Sequence, residues 1–218
     1  MRTLCSIGLV AILSWSVVGC SDDDDVVGVG PDDGDGPTVP TSPSEWLDAF
    51  EAAWGQRDAQ VYADLLHPLF VFRLAPADVD AIGLAPTWDR TTELEAFAGL
   101  FSDSTGTGPP VEFFRILEID LDGQWTEDLA PDVAPQADVR AVLALRATAD
   151  FGADSRDVAG LQRMYLARES TMVDGQAVDS YRLVAWDDLG VPGSRGPAAR
   201  ANDTISWTAL KAMVLPVR

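Results

Sequence analysis

The apolar residues of this 218-residue chain change their spacing once, and that change limits the folds open to it. Up to about residue 101 they recur three and four positions apart, as on one face of a helix. Beyond residue 110 they fall into four long segments, 111–121, 138–151, 161–173 and 178–186, each reading as a β-strand. Asp174-Gly175, between the last two, is a hairpin turn signal. Helices first and antiparallel strands afterwards predict an α+β domain with its helices on one face of the sheet.

The helical part carries its own start and stop signals. In Ser42-Pro43-Ser44-Glu45, Ser42 can cap a helix, Pro43 suits its first position and Glu45 can reach back. Trp46, Leu47, Phe50, Ala53 and Trp54 then share one face, opposite Asp48 and Glu51, and Gly55 is the expected end. Asp58 caps a shorter helix with Val61, Tyr62, Leu65 and Leu66. That helix stops at His67-Pro68, because a residue before proline avoids helical geometry. An apolar strand follows at 69–74. Thr92, with Glu95 three residues on, announces a third helix whose stripe is Leu94, Phe97, Leu100 and Phe101.

Ahead of all this, Arg2 and an uncharged run over 4–18 have the layout of a secretory signal. Roughly 20 apolar residues are needed to span a membrane, so the run is too short. Val17-Val18-Gly19-Cys20 resembles the bacterial lipobox, which implies that 1–19 are removed and that membrane lipid is attached through Cys20. The alternative is an ordinary cleaved signal. Cys5 would leave with it, so no disulfide is expected, and acyl chains would anchor the protein at ~0.8 kcal/mol per buried methylene. Residues 21–43 hold seven Asp, four Gly and four Pro with no Lys or Arg, so 20–43 reads as a disordered acidic tether. Neither Asp32-Asp33-Gly34-Asp35-Gly36 nor the stretch from Glu118 to Gly123 has the spacing of a calcium loop.

A formal charge of −20 disfavours nucleic acid and anionic head groups as partners. Residues 44–190 suffice for one domain, and 191–218 read as an irregular connection followed by a short helix. Thr204 or Ser206 could cap that helix, with Trp207, Leu210, Met213 and Val214 pointing one way. Arg195, Arg200, Lys211 and Arg218 make this end basic, suited to an acidic face. There is no His pair for zinc, no mature thiol and no G-x-S-x-G elbow, so no cofactor, metal or catalytic residue is assigned. His67, the single histidine, reads as a hydrogen-bond partner in a turn.

Helix, helix, strand, helix and then four strands resembles the nuclear transport factor 2-like superfamily, which includes SnoaL-like proteins. The likeness is carried by Ala49-Phe50-Glu51-Ala52-Ala53-Trp54, by Tyr62-Ala63-Asp64-Leu65-Leu66-His67-Pro68 running into Phe70-Val71-Phe72, and by 181–189. It implies a cone-shaped fold, N-terminal helices packed on a curved antiparallel sheet, enclosing a pocket. Trp54, Tyr62, Phe70, Phe72, Trp88 and Phe113 are the residues expected to line it; the alternative is that they are core. The catalytic patterns of the superfamily are not evident. The strand 70–74 lacks the carboxylate of ketosteroid isomerases, and His67 alone cannot supply the histidines of scytalone dehydratases. Asp138, Arg140, Arg146, Asp150 and Arg168 could form the Asp-Arg-Asp set of limonene epoxide hydrolases. Yet Arg140 and Arg146 share a strand face opposite Val139, Ala141, Leu143 and Leu145, which reads as solvent-facing. The expectation is a lipid-anchored envelope protein that binds a small apolar ligand or a protein partner without catalysis. The alternative is an isomerase, dehydratase or epoxide hydrolase. Self-association through the outer sheet face fits either.

Overall fold

A computed structural model of the chain describes residues 40–102, 111–121, 124–127, 136–152, 154–173, 175–191 and 204–215. The chain divides into Met1–Gly36 and Pro37–Arg218, and every described residue lies in the second unit. Cys20, the signal 1–19 and nearly all of the tether therefore lie outside the described residues. So do Arg195, Arg200 and Arg218.

Ser42 caps α1 (Pro43–Gln56), accepting from Glu45 N at 3.2 Å, while the Glu45 carboxylate accepts from Thr41 N and Oγ1, both at 2.7 Å. Gly55 is not the terminus. The helix runs one residue further and ends at Arg57, a left-handed residue at φ 60°. Its guanidinium donates to the Glu112 carbonyl and lies over the Phe101 ring, contacts that offset the strain of that backbone. Asp58 caps α2 (Ala59–Leu65), which leads into β1 (Leu66–Arg73).

Between β1 and the next long helix the chain forms α3 (Pro76–Ile82) and β2 (Thr87–Asp89), two elements absent from the order expected from the sequence. No side chain caps α3, which is why the usual start signal is missing; Pro76 at its first turn and left-handed Gly83 at its end were the signals present. The cap of α4 (Arg90–Phe101) is Asp89, accepting from Thr92 N, and not Thr92 itself. The long strands are β3 (Phe113–Leu121), β4 (Val139–Asp150), β5 (Ser155–Val173) and β6 (Gln176–Asp188). β7 (Thr204–Ile205) and α5 (Trp207–Ala212) follow, with Ser206 as the α5 cap.

The sheet order is β2-β1-β6-β5-β4-β3, with β7 beside β5. It is mixed, not antiparallel throughout: β1 pairs parallel with β6, and β7 parallel with β5. Parallel neighbours need a long connection, and for β1 that connection is most of the domain. Alternation along a strand reports its faces and not its partner, so the sequence did not carry this pairing. On β4 the inward positions Ala141, Leu143, Leu145, Ala147 and Ala149 are buried, while Arg146 is exposed and ion-paired with Glu118 at 3.5 Å. The helices cover this inner face and bury one continuous core.

Candidate functional site

The interior expected to be a pocket is packed. Trp54, Tyr62 and Phe72 are 0% exposed and Phe70 is 1% exposed; the Phe113 side chain lies outside the described residues. What fills the centre is the chain's own α5. The Trp207 ring sits 5.1 Å from Trp54, 5.6 Å from Trp186 and 5.9 Å from Phe114.

One turn on, Lys211, expected only as part of a basic end, enters the same core. Its Nζ lies 3.6 Å from the Trp186 ring centroid and 3.9 Å from that of Phe72, the geometry of a cation held by aromatic faces. The counter-charge is Glu93, also 0% exposed, whose Oε1 is 2.7 Å from Nζ; the contact is an ion pair without aligned hydrogen-bond geometry. Both carboxylate oxygens are further engaged: the Tyr62 hydroxyl donates to Oε1 at 2.5 Å and Trp88 Nε1 donates to Oε2 at 2.8 Å. Burial pushes Lys211 below the usual lysine range, with Glu93 pulling it back. Burial, reinforced by the Glu93 charge, pushes Tyr62 well above the usual tyrosine range.

Sequence reasoning missed Glu93 and Lys211. Glu93 stands four residues before Phe97 and seven before Leu100, so it lies on the apolar stripe of α4; an acid in that stripe was the available signal. Lys211 shares a face with Trp207 in the same way. Met213, expected inward, is instead exposed.

A polar network docks the start of α5. Ser206 donates to Asp78 Oδ2 at 2.5 Å, Thr208 N donates to Asp188 Oδ2 at 2.7 Å and Ala75 N donates to Thr208 Oγ1 at 3.1 Å. Asp188 Oδ1 also accepts from Gln162 Nε2 at 3.0 Å, and Gln162 Oε1 accepts from Trp186 Nε1 at 2.6 Å.

Trp88 links this interior to an open cleft of about 480 Å³. One face of its ring stacks on Phe72, 4.8 Å between centroids, and the residue also lines the cleft with Val71, Leu84, Ala85 and Leu215. Asp89, Thr92 and Glu95 add polar groups from the start of α4. A second, wider depression of about 750 Å³ lies against α1 and β3, lined by Asp48, Glu51, Gln56 and Arg115 among others. Its wall is more polar and it contains none of the expected site residues. His67 lies apart from both: its Nδ1 accepts from Leu69 N at 3.0 Å and its Nε2 is 3.4 Å from Glu169. Among the described residues no group of three or more His, Cys, Asp or Glu is placed to hold a metal ion.

Helices on one face of an unclosed mixed sheet define an α+β domain. The solved structures similar to this chain include a conserved protein from Planctomyces limnophilus, at 12% identity and TM-score 0.45 over 66% of this chain and 90% of that one. Another is an NTF2-like protein of unknown function in nutrient uptake from Rhodospirillum rubrum, at 17% identity and TM-score 0.36 over 67% and 95%. A third is an NTF2-like protein from Cytophaga hutchinsonii, at 11% identity and TM-score 0.36 over 66% and 91%. No protein-family model matches the chain, and no curated protein does.

Proposed function

We propose that the domain binds a small ligand in the cleft beside Trp88, without chemistry on it, and is held at the cell envelope by lipid on Cys20. The observation that carries the reading is the contrast between a sealed interior and an open cleft. Tyr62 and Glu93 are the pair an enzyme of this fold could use for acid-base work, and they favour that second reading. However, Lys211 occupies the carboxylate and α5 fills the space a substrate would need. Trp207, Leu210, Val214 and Leu215 are buried, and at ~1.5–3 kcal/mol per apolar side chain they hold α5 with on the order of 6–12 kcal/mol before ordering entropy. Whole domains are stable by about 5–15 kcal/mol, so α5 is part of the fold and not a door.

The cleft, in contrast, is within the size range of small-molecule sites and combines apolar walls with a few polar groups. Native mass spectrometry tests the reading. The expected result is an extra mass lost on denaturation and absent from Ala85→Trp, in which a large side chain fills the cleft. Adduct retained in Ala85→Trp would place the ligand elsewhere, and bare wild-type protein would overturn the proposal.

A further inference from the structure

Resting on the cleft reading, we infer that the ligand is an amphiphilic organic cation, an apolar body carrying an ammonium group. The walls supply the first half of that description. Val71, Leu84, Trp88 and Leu215 offer hydrocarbon and an indole that Phe72 and Glu93 fix from behind, so its position is set before any ligand arrives.

The rim supplies the second half. Asp89, Thr92 and Glu95 follow one another at three-residue spacing from the cap into α4, which puts them along one side of the helix. The cleft lining contains two carboxylates and no Lys, Arg or His. Asp89 is held below the usual carboxylate range because it accepts from Thr92 N, so it stays ionised. Glu95 is exposed and has no partner among the described residues, leaving its charge available. A carboxylate or phosphate ligand would meet two like charges here, and a neutral one would leave the Glu95 charge unused. An ammonium over the hydrocarbon walls meets both requirements, and an aromatic wall adds to its attraction.

The test compares hexylammonium, 1-hexanol and hexanoate on the full-length protein by isothermal titration. The expected order is hexylammonium tightest and hexanoate weakest. In Asp89→Asn/Glu95→Gln, hexylammonium should bind about tenfold more weakly, while hexanol is unchanged. Asn still caps the helix, so the variant keeps the fold. Added salt should weaken hexylammonium alone. Equal binding of hexylammonium and hexanol, both lost in Ala85→Trp, would overturn the cation and leave the cleft standing. Hexylammonium binding untouched by Ala85→Trp would overturn both.

Discussion

Lys211 shows what one side chain does when its charge has nowhere else to go. It is enclosed with Glu93, and removing one member of such a pair costs about 3–5 kcal/mol because the other is left buried and uncompensated. Lys211→Met should therefore lower stability by about that much in urea unfolding. Adding Glu93→Gln should recover part of the loss, and strict additivity of the two changes would deny the coupling. His67 gives a pH prediction. Burial lowers its pKa, outweighing the pull of Glu169, so the unfolded chain binds the proton more readily. Stability is then full above the unfolded value near 6.5 and falls as pH drops toward the lowered folded value. His67→Gln should flatten that slope; an unchanged slope would assign it to other groups. Neither role was fully legible beforehand. His67 reads from the sequence as a hydrogen-bond partner, which Leu69 N makes it, whereas Lys211 reads only as part of a basic end, because the acidic partner that lets a lysine be buried lies on another element.

At the level of elements, the approach of β5 to the end of β6 depends on one glycine. A Cβ at Gly160 would fall 2.9 Å from Gln162 Nε2 and 3.0 Å from the Gly190 carbonyl, and the latter is backbone. Gly160→Ala should cost about 1–3 kcal/mol, read as a lower melting temperature, because it also pushes on the Gln162–Asp188 bond that docks α5. Asp78, at the other anchor, has its carboxyl raised by burial and by Asp188, against the Ser206 hydrogen bond. Its contribution is present below the unfolded value of 3.8 and lost as pH rises through the folded one, so Asp78→Asn should gain on wild type between pH 3 and 7. A variant that instead loses ground over that range would show the ionised form to be favoured. The caps of α1 and α2, Ser42 and Asp58, could be read in advance because their signals are local. Parallel pairing of β1 with β6 and the burial of α5 could not, since both are set by surfaces distant in sequence.

On the scale of the whole molecule, a formal charge of −20 works against compactness. Raising ionic strength from ~0.01 to ~0.1 M shortens the screening length from about 30 to about 10 Å, so the melting temperature should rise. A fall would mean that surface pairs such as Arg182–Glu169 outweigh the repulsion. Beyond equilibrium, the position of α5 in the chain bears on timing. It follows every other described element, and Ser206 meets Asp78 across 128 positions of sequence. As the chain leaves the ribosome, the aromatic centre of the sheet stays uncovered until Trp207 and Lys211 emerge. During that interval the core lacks Trp207 and Lys211, so the native packing forms only once α5 is available.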